Sequence, residues 1–180
     1  MKVCVDAGHG GSDPGAVGTV PFEVEEHTVN LAVAERLEAA VEGLGHRVMM
    51  TRRQDRTLSL TARADFANRY GADLFVSVHA NAAASPWAEG MEVYHFPGSG
   101  AGQHAAHEIR WQLATRFPDH RDRGVKEANF TVLRRTWMPA VLVECEFLTH
   151  PGQLVFLAEP ENQRRLAEAI ATGVDRWARW

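Results

Sequence analysis

Three of the most apolar runs in this 180-residue chain stop on a side chain that can bind a metal or move a proton. Lys2-Val3-Cys4-Val5 leads into Asp6-Ala7-Gly8-His9, Leu74-Phe75-Val76-Ser77-Val78 ends on His79, and Pro139-Ala140-Val141-Leu142-Val143 ends on Glu144. Short apolar runs bounded by turn residues read as buried strands, and amphipathic helical patterns lie between them. That alternation predicts an α/β fold, a single three-layer domain over residues 1–180 with a central mixed, mostly parallel sheet of about six strands and helices on both faces. Parallel strands deliver their carboxyl ends to one edge, where α/β sheets bind ligands. One edge therefore receives two imidazoles and a carboxylate.

The first of these strands breaks into two glycine-rich turns, Gly8-His9-Gly10-Gly11 and Ser12-Asp13-Pro14-Gly15. Glycine permits a close backbone approach to a ligand, so His9 is presented there and not buried. A phosphate-cradling loop would need a G-K-[ST] ending, which the segment lacks. Val33, Leu37, Val41 and Leu44 then mark a helix ended by Gly45, with Glu23, Glu25 and Glu26 near its start, where the helix dipole favours negative charge. Residues 46–51 read as a strand. Ser59 caps a helix carrying Leu60, Ala64, Ala67 and Tyr70 up to Gly71.

Residues 91–96 alternate as a strand should, and Ile109, Leu113 and Phe117 share a face of the helix that follows. Asn129 to Arg134 is expected to be a short strand, whereas Pro97 to Gly102 and Arg116 to Lys126 are expected to be loops able to cover a site. Pro151 and Pro160 each suit a first helical turn, and Leu166, Ile170, Val174 and Trp177 line the last helix.

A net charge of −4 without a basic block argues against a partner held by phosphate contacts, so no nucleic acid is expected. No apolar run approaches the ~20 residues that cross a bilayer. The amino-terminal residues lack the pattern of a signal peptide, which predicts synthesis in the cytoplasm without one, or export by a segment outside this sequence. Cys4 and Cys145 lie in apolar strands with no C-x-x-C pair, and both read as buried free thiols.

Two histidines and a carboxylate are a ligand set for catalytic zinc, which leaves a fourth position for water. Such a site also needs a second carboxylate as base, and Glu23, Glu25 and Glu26 are the candidates. Each residue has a plainer reading: His9 a loop histidine, His79 and Glu144 polar strand ends, Glu26 a helix-start carboxylate. His104 and His107 stand three apart on a helix with no third ligand placed to join them, and read as surface residues.

The sequence resembles the zinc-dependent N-acetylmuramoyl-L-alanine amidases, in phage endolysins and bacterial autolysins alike. The resemblance rests on V-D-A-G-H-G-G-S-D-P-G-A-V-G, E-H-T-V-N-L-A-V-A, T-R-R-Q-D with S-L-T-A-R-A-D-F-A-N, D-L-F-V-S-V-H-A-N-A, G-M-E-V-Y and G-V-K-E-A-N-F-T-V-L-R-R-T-W-M-P-A-V-L-V-E-C-E-F-L-T-H, in the family's order over nearly the whole chain. It implies that His9, Glu26 and His79 hold one zinc ion and that Glu144 is the catalytic general base and acid. Glu26 is selected because the family's ligand stands four residues before the asparagine of its V-N-L segment, here Asn30.

Asn81 and Asn129 are placed to orient the ligands or hold substrate. The implied reaction is hydrolysis of the amide between the lactyl group of N-acetylmuramic acid and L-alanine of the peptidoglycan stem peptide. The family has a small residue where Cys145-Glu146 stands, so Glu146 is expected either beside the site or turned to the other face of its strand. The setting expected is a monomeric phage endolysin released through a holin lesion to act on the cell wall, without a separate wall-binding domain. A bacterial autolysin fragment is second. The rivals are a non-catalytic peptidoglycan-binding module and a zinc peptidase cutting within the stem peptide.

Overall fold

In the computed structural model, which describes residues 1–180, the chain runs β1 (Lys2–Ala7), β2 (Val17–Gly18), β3 (Val24–Glu25), α1 (Glu26–Gly43), β4 (Arg47–Met50), α2 (Leu60–Tyr70) and β5 (Leu74–Asn81). It continues with β6 (Met91–His95), α3 (Gly100–Arg116), β7 (Asp122–Glu127), α4 (Thr131–Arg135), β8 (Ala140–Phe147), α5 (Pro151–Ala158) and α6 (Pro160–Ala178). Six strands form one sheet in the order β4-β1-β5-β8-β6-β7, and β2 pairs with β3 in a separate ribbon. The four strands β4, β1, β5 and β8 are parallel, while β6 and β7 run the opposite way. This is the mixed, mostly parallel α/β sheet that the alternating pattern predicts.

The two faces of the sheet are unequal. Val3, Val5, Leu74, Val76, Val78, Val141 and Val143 point into a cluster of 31 buried residues shared with α1, α3 and α6. Leu166, Ile170 and Val174 recur on α6 at four-residue steps and are fully buried, each removal from water stabilising by about 1.5–3 kcal/mol. A Cβ at Gly173 would overlap the backbone of Ile109, so this glycine lets α6 and α3 touch. On the opposite face Cys4, Phe75, Ala140 and Leu142 meet α2 and α4 in a cluster of only eight. Both cysteines are buried and free. No helix is long and apolar enough to cross a membrane.

Two elements differ from the sequence reading. Arg116 to Lys126 is not all loop, because Asp122–Glu127 forms the edge strand β7. An edge strand needs no apolar alternation, and this one is only half-buried, with its Asp122 paired to Arg110. Asn129 to Arg134 is not a strand, since Thr131–Arg135 makes a single helical turn and a half whose Val132 and Leu133 enter the smaller core. Five residues are too few to display a helical period. Pro97 to Gly102 is not all loop, because α3 begins at Gly100 with Ser99 capping it through its hydroxyl.

Ser59 and Gly71 bound α2 as expected, the first accepting from the Ala62 amide and the second at φ 64°. Leu60 departs from the expected apolar face, being 55 % exposed in the first turn.

Near the carboxyl end of β1, Asp6 is fully buried and accepts from Thr51 Oγ1 (2.6 Å), Ser77 Oγ (2.7 Å) and Arg63 Nη1 (2.9 Å). Burial alone would raise this carboxyl, but the Arg63 charge and the hydrogen bonds override it and hold the group below its ordinary range. A lowered folded pKa adds stability above the unfolded value of about 3.9, lost as pH falls through the folded one. Arg63→Met should therefore destabilise the protein by about 3–5 kcal/mol in urea unfolding at neutral pH, with the gap closing below about pH 4. A gap unchanged by acid would show that the pair is not ionic.

Candidate metal centre and catalytic cleft

Where β1 ends, two buried arginines take hold of the chain. Arg52 Nε donates to the Ala7 carbonyl (2.9 Å) and its Nη2 to those of Gly8 (2.9 Å) and His27 (2.8 Å). Arg63 Nη1 donates to Ala7 (2.6 Å) and its Nη2 to the His9 carbonyl (2.7 Å). His9 is thereby held at φ 60°, a left-handed conformation that costs a non-glycine residue about 1–2 kcal/mol. Two glycines keep the space around it clear. A Cβ at Gly8 would overlap the His79 imidazole, and one at Gly15 would overlap both the Glu26 carboxylate and His9.

Glu26, the first residue of α1 and 5 % exposed, lies between the two imidazoles. Its Oε2 is 3.2 Å from His9 Nε2 and its Oε1 is 3.0 Å from His79 Nδ1. One donor atom from each of His9, Glu26 and His79 falls within 4.8 Å of the others, and no other group of His, Cys, Asp or Glu in the chain converges in this way. Asp13 Oδ2 takes the other nitrogen of His9, Nδ1, at 2.8 Å, which fixes the ring with Nε2 toward Glu26. Asn30, one turn further along α1, donates to Glu26 Oε1 (3.1 Å), and the Ala16 and Ala80 amides donate to the same carboxylate (2.9 and 3.2 Å).

These contacts set the charge state. The hydrogen bond that the His9 ring donates to Glu26 is the main cause that raises His9 to about 9, against burial, with Asp13 adding to it. Burial would raise Glu26, but hydrogen bonds from His79 and His9 keep it well below the ordinary carboxylate range. The site holds a full negative charge between two imidazole rings, and a cation would satisfy all three groups at once. Two imidazole nitrogens and one carboxylate oxygen, with His9 and Glu26 each oriented by a further hydrogen bond, fit zinc in a catalytic setting.

Glu144 stands opposite His79 in the β5–β8 ladder. Its Oε2 is buried without a hydrogen-bond partner, and burial raises its carboxyl to about 7. It lines a cleft of about 520 Å³ with His9, His79 and Asp13, rimmed by Leu58–Leu60 on one side and Asn129–Val132 on the other.

Of the three acidic candidates at the start of α1, only Glu26 converges on the histidines. Glu23 is exposed and Glu25 pairs with His27 (2.6 Å). Asn129 lies on the cleft rim with its Oδ1 accepting from Arg134 Nη1 (2.7 Å). Asn81 donates to Glu92 (2.8 Å) and makes no side-chain hydrogen bond to either histidine or to Glu26.

Strict alternation would put Glu144 and Glu146 on one face, but the register shift between His79 and Asn81 inserts an extra residue in β8. Glu146 is thus turned away, accepting from the Gly90 amide (2.7 Å) and pairing with His120 (2.9 Å). His107 is exposed, and His104 packs against the Trp180 ring at 4.3 Å. Asp13, Arg52 and Arg63 were not among the residues singled out from sequence. The signal available was the polar Asp in the second glycine turn and two arginines in otherwise ordinary positions.

The sequence pattern of the N-acetylmuramoyl-L-alanine amidase family matches residues 3–176. The chain is 37 % identical over 176 residues to the N-acetylmuramoyl-L-alanine amidase CwlM of Bacillus licheniformis, covering 98 % of this chain and 68 % of that protein. To the endolysin of Bacillus phage SPP1 it is 33 % identical, covering 96 % of this chain and 64 % of that one. The fold superposes on the amidase AmiC2 of Nostoc punctiforme with a TM-score of 0.93 and 34 % identity, covering 100 % of this chain and 98 % of the other. With sequence and fold agreeing over essentially its whole length, the chain belongs to the N-acetylmuramoyl-L-alanine amidase family.

Proposed function

We propose that the chain cleaves peptidoglycan at the amide between the lactyl group of N-acetylmuramic acid and L-alanine of the stem peptide, with His9, Glu26 and His79 holding zinc and Glu144 moving the proton. The observation that carries this reading is the convergence of three donor atoms beside one unpartnered buried carboxylate oxygen. Zinc in such a site supplies Lewis acidity, which polarises a carbonyl and makes nearby water a better nucleophile near neutral pH.

The chain's own residues supply the rest. Asp13 keeps His9 in one tautomer and Asn30 keeps Glu26 turned to the histidines. Glu144, raised to about 7 by burial, accepts a proton from water and donates it to the leaving alanine nitrogen, so that water and amide become a carboxylic acid and an amine. The absence of a hydrogen bond at its Oε2 leaves that oxygen free for the transfer. The cleft is open between its two rims, which suits a peptide still attached to a glycan strand. The relatives include both a bacterial amidase and a phage endolysin, so both settings in which such chemistry is used are represented.

Digestion of purified peptidoglycan should release new alanine amino termini, abolished by a chelator and restored by zinc. Reducing sugar ends, other amino termini, or indifference to chelation would overturn the assignment. Glu144→Ala should keep the metal and lose about 10²–10⁴-fold in turnover, read by end-group kinetics beside metal content. Asp13→Ala should weaken zinc binding about 10–100-fold by competition with a chelating dye, and an unchanged affinity would remove Asp13 from the orienting role.

A further inference from the structure

A second buried carboxylate lies beside the catalytic one and gathers more positive charge than it balances. Glu92 is 2 % exposed and stands directly opposite Glu144 in the antiparallel β6–β8 ladder. It accepts from Asn81 Nδ2 (2.8 Å), Tyr94 Oη (2.7 Å), Arg123 Nε (2.7 Å) and the Lys126 ammonium. One negative charge thus meets two positive ones, and the cluster keeps a net positive charge.

The backbone puts both cations on the catalytic face. Lys126 is opposite Tyr94 in the β6–β7 ladder, so the two side chains leave the sheet on one side. The register shift between Met91 and Val93 falls at Arg123-Gly124, with Gly124 at φ 83°, and brings the Arg123 guanidinium over the Phe147 ring at 4.8 Å. Neither cation is used up. Arg123 spends Nε on Glu92 and Nη1 on the Glu89 carbonyl, which leaves Nη2, and Lys126 has two more N–H groups. Their side chains are 26 % and 37 % exposed. Tyr94 links the cluster to the cleft through its edge-on contact with the rim residue Phe130, at 5.2 Å.

Strands lie about 4.8 Å apart, so β7 is about 10 Å from Glu144. An extended peptide covers about 3.3–3.6 Å per residue. A stem peptide whose first amide is beside Glu144 therefore brings its second or third residue to Arg123 and Lys126. We infer that Arg123 and Lys126, braced by Glu92, form a subsite that receives a carboxylate of the stem peptide beyond the cleaved alanine. The inference rests on the amidase reading above. It makes the two cations specificity determinants, since they reach the substrate away from the reacting bond.

The test uses two N-acetylmuramoyl tripeptides that differ only at residue two, a glutamate linked through its side chain with the α-carboxylate either free or converted to the amide. The unaltered enzyme should prefer the free acid by about tenfold in kcat/KM, the worth of one charge-assisted hydrogen bond. Lys126→Met and Arg123→Met should each bring that ratio toward one, and Lys126→Arg should keep it. A ratio near one in the unaltered enzyme overturns the inference even if the variants do not fold. So does an equal loss on both substrates with the ratio preserved, which would mark the cations as structural supports. Failure to cleave either substrate at the alanine amide, with zinc bound, overturns the amidase reading itself.

Discussion

Two guanidinium groups hold the carbonyls of Ala7, Gly8 and His9, and the rest of the site depends on that grip. Backbone carbonyls at a strand end normally find water, and a buried one without a donor is costly. Arg52 and Arg63, each 2 % exposed, supply donors from one side, and this lets the chain turn sharply into a left-handed conformation at a residue with a side chain. The conformation sends His9 toward Glu26 instead of along the strand. Arg63 has a second duty, because its charge is what makes a fully buried Asp6 tolerable under the sheet edge. One guanidinium thus couples the stability of the core to the position of His9.

The site is built on conflict between burial and charge, settled differently for each carboxylate. Glu26 is surrounded by five donors and remains ionised. Glu144, on the neighbouring strand, has no donor on Oε2 and rises toward neutrality. Two groups of the same chemical type are thereby separated into a fixed charge and a carboxyl that can change its protonation near neutral pH. Glu92 is settled a third way, by direct pairing with cations.

Much of this was legible in the sequence, for physical reasons that also explain what was not. Buried parallel strands must be apolar, so β1, β5 and β8 announced themselves, and the polar residue at each end stood out against that background. The residues alone left three acids open, and the choice of Glu26 came from the family resemblance, which sets the ligand four residues before Asn30. The structure shows why four residues matter, since one helical turn brings the amide onto the carboxylate. The edge strand β7 and the short helix α4 were not legible, because a strand with one open side and a helix of five residues need no hydrophobic period. The bulge at Cys145-Glu146 was hidden too. Side-chain parity fails there by one residue, and nothing in the residue types marks it.

The inequality of the two faces has a further consequence. Thirty-one buried residues lie on the side of α1, α3 and α6, and eight on the side where His79, Glu144 and Glu92 emerge. The thick layer carries most of the apolar burial, while the thin one gives its surface to charged groups that a larger core would exclude. Most of the apolar burial therefore lies on one side of the sheet, and the charged groups gather on the other. The sheet transmits position between them, and substitutions on the reactive side can change what the protein recognises while the layer that keeps it folded is left untouched.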